Sequence, residues 1–475
     1  VSTPTATAEP LGYVYQPNPE MPPAFNQLLE QQALPTAQGA ANELTYTFAF
    51  GDANPVGGWV YTLVAPFPTV RDEVSADWLR KLWQGQPEDA VQTLLIAEED
   101  LPVLSSLLGE PGQSVRTQLG ESLLETAWTT QNTWAIIPFG EIQARWKVMI
   151  IDGQSPIHKD FSAESYALKV PISVRLLEPD ASFALPPELA DLHLSNLDPS
   201  KITTVTLPGV TAMVRATAVG MDTRGILVPG ELIAPVMREA DLLHISNEVP
   251  FAVDCKDPVP KLSGKLTFCS KDSYFKLLEA VGADVVELTG DHFQDSGEAA
   301  LEHTLEVYKQ NKLPYYGGGL NIEEAKQPVK FEIRGTKIAF LGCNAKPTTY
   351  GNATEEKGGN FRCDWDYMTA EVKKLRSEGY LPIVTFQHLE FYQWTAQSQL
   401  VADFHKMADA GAVVVSGSQS HQPHGMEITD SAVLHYGLGN LFFDQYGLTL
   451  LTDFGFLDRH VFYDGKYLGV ELLPI

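Results

Sequence analysis

Downstream of residue 200 the chain alternates short apolar runs with amphipathic stretches. DLLHIS, ADVVEL, TKIAFLG, LPIVTF and AVVVSG are separated by segments such as DSYFKLLEAVG, ALEHTLEVYKQN and LVADFHKMADAG. The first kind reads as buried strands and the second as helices. In LVADFHKMADAG, Leu400, Phe404, Met407 and Ala408 recur at three- and four-residue steps, so they mark a packing face, and Gly411 supplies the stop. Parallel strands joined by helical crossovers bring their carboxyl ends to one edge, where loops from separate strands converge. A site is to be sought at that edge.

Upstream, YTLVAPF (61–67), TWAIIPF (133–139) and WKVMIID (146–152) read as short buried strands, and SADWLRKLWQG (75–85) has helical spacing through Trp78, Leu79, Leu82 and Trp83. Between the two regions, PDASFALPPELADLHLSNLDPS (179–200) breaks the periodicity with Pro, Asp and Ser. The reading is therefore an α/β chain: a flexible stalk over 1–12, a smaller α/β lobe over 13–178, a linker over 179–200 and a larger α/β domain over 201–475. The opening VSTPTATAEP reads as a stalk left after removal of a signal or lipoprotein segment, or as a trimmed start. APFPTV and WAIIPFGEIQARWKVMIIDG resemble a lobe of phosphate-type periplasmic solute-binding proteins.

Composition narrows the function classes. With 475 residues, 44% of them hydrophobic, the chain has material for two or three cores. Sixty Asp and Glu against 33 Lys and Arg give a net charge of -27, which opposes phosphate-backbone binding and excludes a nucleic-acid role. No run approaches the roughly 18–20 apolar residues that cross a bilayer. Cys255, Cys269, Cys343 and Cys363 fall into two local pairs without Cys-x-x-Cys spacing. Two disulfides, and with them an oxidising compartment outside the cytoplasm, are the preferred reading; four buried thiols are the alternative.

The residues just past the apolar runs carry the chemistry: Ser246-Asn247-Glu248, Gly290-Asp291-His292, Gln387-His388 and Gly417-Ser418-Gln419-Ser420-His421. Carboxylate, imidazole and amide groups on separate loops suit a divalent cation. Of the 11 histidines, His244, His303, His405 and His435 read as packing or surface groups, whereas His388 and His421 directly follow strands. His424 reads as a ligand or a rim residue. Asp291, His292 and Asp295 lie within five residues: Asp291 would fix a cation, His292 donate a proton, and Asp295 orient His292. Asp295 or Ser296 would alternatively cap the helix starting near Gly297.

In these motifs residues 200–475 resemble the poly-γ-glutamate capsule biosynthesis (CapA-like) family, whose fold is akin to calcineurin-type metallophosphoesterases. Ser246-Asn247-Glu248 resembles the family's Asn-Leu-Glu strand end, and Gly290 to Gly297 its Asn-Asn-His-x-x-Asp-x-Gly loop. Tyr315-Tyr316-Gly317-Gly318-Gly319, with Ala325 and Pro328, resembles the segment after the following helix. His388 with Glu390 resembles its His-Trp-Gly-x-Glu, Val415 to His421 its Gly-x-His-Pro-His turn, and Tyr436 to Asp444 its closing strand. The departures are Gly209-Val210 in place of Gly-Asp, Gln419 in place of His, and Asp291 in place of Asn.

The resemblance implies a metallo-dependent phosphatase-like domain holding one or two divalent ions (Mn, Zn, Fe or Mg) on Glu248, Asp291, His388, Gln419 and His421. His292 and Asp295 are the catalytic pair, and Arg215, Glu390, His424 and Asn440 contact substrate. The implied function is an extracytoplasmic protein, secreted or lipid-anchored, of poly-γ-glutamate or other surface-polymer biosynthesis, working with capsule-synthesis membrane partners. A metal-dependent phosphoesterase on a small ester, and a non-catalytic binding module with a degenerate metal site, are the alternatives.

Overall fold

The computed structural model describes residues 12–30, 34, 43–177, 189, 192–261, 266–347, 351–445 and 448–475. Most of the stretch read as a stalk and much of the 179–200 linker lie outside the described residues. Residues 1–142 with 146–200 form one compact unit, and residues 143–145 with 201–475 the other. Both are α/β.

The first unit is built on a nine-stranded mixed sheet around the long strand Pro55–Pro66. TWAIIPF becomes the strand Thr133–Pro138, antiparallel to it. WKVMIID divides in two, because Trp146–Val148 pairs with Pro55–Pro66 while Ile150–Ile151 pairs with Glu73–Val74. The helix Ala76–Trp83 is capped by Ser75, whose side chain accepts from the Trp78 amide, and it buries Trp78, Leu79, Leu82 and Trp83.

In the second unit the alternating pattern resolves into two sheets. One centres on the parallel strands Leu242–Asn247 and Val285–Glu287, the other on the parallel strands Thr336–Asn344, Leu381–Gln387 and Val414–Ser416. Period-two alternation sets what each face meets. Leu243, Ile245 and Val286 pack under the helices Phe275–Val281 and Glu298–Gln310. Ala339, Leu341, Cys343, Val384, Phe386 and Val415 pack under Trp365–Ser377 and Ser398–Ala410.

The residues between them in sequence point the other way, from each sheet toward the other. His244 stacks on Phe340 with ring centroids 6.0 Å apart, and the Tyr316 hydroxyl joins His244 Nε2 and Thr385 Oγ1, each at 2.9 Å. His244 is therefore a fully buried packing residue, as read, and His435 is likewise buried against Asp458. Leu400, Phe404 and Met407 form the packing face of their helix, which Gly411 ends at φ +115°.

Two disulfides are formed, Cys255–Cys269 and Cys343–Cys363. Each adjoins a residue that matters below, Phe268 beside Cys269 and Asn344 beside Cys343. Among the described residues no helix is long and apolar enough to cross a membrane.

Candidate metal centre

Glu248 and Asp291 leave the carboxyl ends of neighbouring strands in the first sheet, and Asn344 and Gln387 end facing strands in the second. Gly290 permits the approach of the first two, since a Cβ there would stand 2.8 Å from the Glu248 Cα. Ligand atoms of Glu248, Asp291 and His292 all lie within 4.8 Å of one another. Gln387 ties this group to the second sheet. Its Nε2 donates to Asp291 Oδ1 at 2.8 Å and to Glu248 Oε1 at 3.2 Å, while its Oε1 accepts from the Asp291 amide and from Asn344 Nδ2, each at 2.6 Å.

Charges of both signs meet around the group. Burial pushes the Glu248 carboxyl above its ordinary range, opposed by the nearby His421 and His292. Burial would also raise Asp291, but the Lys346 ammonium 2.9 Å from Oδ2 outweighs it and holds Asp291 low. Burial disfavours the His292 imidazolium, yet its hydrogen bond to Asp295, Nδ1 to Oδ2 at 2.6 Å, and the charges of Glu248, Asp295 and Asp291 lift it to about 9. Asp295 is fixed in turn by the Phe268 amide at 2.9 Å, and the Phe268 ring stands edge-on to His292, centroids 4.7 Å apart. The Asp295–His292 pairing thus has the expected geometry. The capping alternative does not, because Gly297 caps the helix Glu298–Gln310 without a side-chain hydrogen bond and Ser296 Oγ donates to the Phe268 carbonyl.

The remaining residues singled out from sequence disperse around this group. His388 does not join it; its Nε2 meets Asp403 Oδ2 of the helix Ser398–Ala410 at 3.0 Å. His421 places Nε2 3.9 Å from Glu390 Oε1, and its Nδ1 pairs with Asn440 Oδ1 at 2.9 Å. Asn440 therefore orients His421. The Arg215 guanidinium is bound to Asp444, 3.1 Å from Oδ2, and lies over the Phe443 ring. His424 is a buried clamp, donating from Nε2 to the Phe391 carbonyl at 2.8 Å, and burial holds it below the ordinary histidine range. Asn247 donates from Nδ2 to the Tyr308 hydroxyl and the Val249 carbonyl. Val210 is fully buried among Ala212, Val214, Val249, Phe268 and Phe443, so this position presents hydrocarbon where the resembled family has a carboxylate.

Lys346 and Asn344 are contacts of this group that no motif in the sequence marks, and Gln387, named there beside His388, takes the place expected of the histidine. All three lie at strand carboxyl ends, Asn344 and Lys346 at that of TKIAFLGCNAK and Gln387 at that of LPIVTF. Lys346 joins Asp291 to Glu390, with Nζ 2.9 Å from Oδ2 of the first and Oε1 of the second.

The donor set suits a divalent cation: two carboxylates and an imidazole in one group, a composition that hard and borderline ions accept. Among the described residues, His388 Nδ1 and both amide atoms of Gln419 are buried without a hydrogen-bond partner.

Residues 222–445 match the family of the bacterial capsule synthesis protein PGA_cap. The chain is 24% identical over 247 residues to the capsule biosynthesis protein CapA of Bacillus anthracis, covering 51% of this chain and 60% of that protein. It is 22% identical over 248 residues to the PGA biosynthesis protein CapA of Bacillus subtilis (strain 168), covering 52% and 64%. The chain thus spans less than two thirds of the length of these relatives. Among solved structures, the NAD nucleotidase of Haemophilus influenzae is similar at 11% identity and a TM-score of 0.33, over 57% of this chain and 49% of that one. An ABC-type phosphate transport receptor from Vibrio cholerae is similar over 27% of this chain and 65% of that one, at 9% identity and a TM-score of 0.24.

Proposed function

Since the chain belongs, over residues 222–445, to the bacterial capsule synthesis family, we propose that it serves poly-γ-glutamate or another surface polymer from outside the cytoplasm, through a divalent-metal centre on Glu248, Asp291 and His292. The observation that carries the metal reading is the convergence of those three side chains, from two loops, to within 4.8 Å. The two disulfides support an oxidising location. Membrane-bound synthesis partners belong to the same proposal.

The His292–Asp295 pair favours a second reading, in which the ion sits on Glu248 and Asp291 alone and His292 is the acid of a metal-dependent phosphoesterase acting on an ester of that pathway. A bound divalent ion supplies Lewis-acid stabilisation of charge developing on an oxygen. Asp295 holds His292 by its Nδ1, which leaves Nε2 for a proton given to a leaving oxygen. At neutral pH His292, lifted to about 9, is charged and able to donate. Gln387 ties Glu248 and Asp291 together through its Nε2.

Metal analysis of protein purified without chelator tests the centre. Manganese should be retained by the wild type and lost in Glu248→Ala. Failure to hold any divalent ion supplied in excess would end the metal reading. With metal retained, turnover of generic phosphomonoesters and phosphodiesters that disappears in His292→Ala supports the phosphoesterase; metal without turnover leaves a binding centre.

A further inference from the structure

Asp291 faces two ways. Oδ1 receives Gln387 on the side of Glu248, and Oδ2 receives Lys346 at 2.9 Å. The ammonium that meets Oδ2 also lies 2.9 Å from Glu390 Oε1, and that same oxygen stands 3.9 Å from His421 Nε2. Two carboxylate oxygens thus hold Lys346 Nζ, with an imidazole nitrogen on the far side of one of them, a donor set of the kind that elsewhere takes a divalent ion.

His421 is held for this position by Asn440, which pairs with Nδ1 and donates from Nδ2 to the His421 carbonyl at 3.1 Å. Glu390 is held by the Tyr392 hydroxyl at 3.0 Å. Lys346 reaches the spot from just past the strand Thr336–Asn344, and its amide is fixed by Asn344 Oδ1 at 2.9 Å. Its side chain is only 10% exposed, so this is a built-in contact and not a surface lysine that has found a nearby acid.

We infer that Lys346 is a resident cation in the second cationic position of the centre, so that the protein takes one divalent ion, beside Glu248, Asp291 and His292, and no second. The inference rests on the metal reading proposed above. An ammonium and a divalent ion cannot share Asp291 Oδ2 and Glu390 Oε1 at close range, because the space between the two carboxylates is already filled and their charge is already met. The lysine also brings what a second ion would bring, a positive charge for an anionic substrate oxygen, without being lost to a chelator. Asp291 is then the shared carboxylate of a mixed pair, one ion and one ammonium.

The test counts manganese on the full chain by equilibrium dialysis and reads its electron paramagnetic resonance. Wild type should take one equivalent with the six-line signal of an isolated ion. Lys346→Met, which keeps the stem and removes the charge, should take a second equivalent and show an exchange-coupled pair, while Lys346→Arg should stay at one. A circular dichroism melt of each variant shows that it is folded, and Lys346→Ala repeats the measurement if the methionine variant is not. Two equivalents in the wild type, or one in every folded neutral variant, would overturn the role of Lys346 and leave the metal centre standing. No manganese in the wild type would instead remove the centre on which the inference depends, and Lys346 with it.

Discussion

Two buried acids show how partners, and not depth, decide a carboxylate's charge. Glu287 is fully buried, and burial would raise it, but His244 Nε2 at 3.3 Å, Ser418 and Thr289 all reach its oxygens, so its pKa lies below the ordinary range. Asp100 in the first unit is 2% exposed and has one side-chain donor, the Tyr61 hydroxyl at 2.8 Å. Burial wins there, aided by the charges of Glu141 and Glu99, and Asp100 is pushed up to about 7. A carboxyl whose folded pKa exceeds its unfolded one binds its proton more tightly when folded. Its contribution to stability is therefore complete below about pH 4 and is lost as pH rises through about 7. Asp100→Asn, whose amide oxygen can still accept from Tyr61, should leave stability at pH 4 nearly unchanged and raise it at pH 8 by up to about 4 kcal/mol. Six of the eight tryptophans lie in this unit, so urea titration followed by tryptophan fluorescence reads the effect. Equal midpoints for variant and wild type at pH 8 would show Asp100 to be ordinary.

The strand ends are where element geometry becomes chemistry. Along Leu381–Gln387, Val384 and Phe386 face the helices, so Thr385 and Gln387 must face the opposing sheet. Gln387 consequently reaches Glu248 and Asp291, while His388, one residue on, turns to Asp403 of the helix Ser398–Ala410. Removing the amide in Gln387→Ala strands the Asp291 amide and two carboxylate oxygens together. At roughly 1–3 kcal/mol per buried unsatisfied group, the second unit should lose about 3 kcal/mol or more. Manganese affinity should fall with it, which calorimetric titration would register; full affinity would mean that Gln387 does not position the carboxylates.

This alternation also explains what could be read from sequence. Apolar runs located the strands, and the rule that function follows their carboxyl ends located Glu248, Asp291 and His292 correctly as neighbours. At 387–388 histidine is the better donor by type, but alternation turns Gln387 to Glu248 and Asp291 and His388 to Asp403. Lys346 was invisible for a different reason, since a lysine after a strand usually reaches solvent, and only the opposing Asp291 and Glu390 make it internal. The split into two sheets was equally hidden, as each presents a polar inner row of the His244, Thr385 and Gln387 kind that reads as interrupted hydrophobicity.

At the scale of the whole molecule the summed field would set how the polymer proposed above approaches. A formal charge of -27 repels a polyglutamate chain at distances beyond any single contact. The centre offers the opposite sign only locally, through Lys346, His292 and whatever ion it binds, among Glu248, Asp291 and Glu390. Salt screens the long-range repulsion first, because the screening length falls from about 14 Å at about 0.05 M to about 4 Å at about 0.5 M, whereas contacts inside the partly buried centre are screened much less. Association with poly-γ-glutamate should therefore tighten as salt is raised over that range, the reverse of a basic surface binding a polyanion. Manganese should tighten it further, and chelation undo that gain. Fluorescence anisotropy of a labelled oligomer against salt, with and without manganese, gives the sign. An affinity that falls steadily with salt in both conditions would mean that a basic surface elsewhere takes the polymer and that the centre does not.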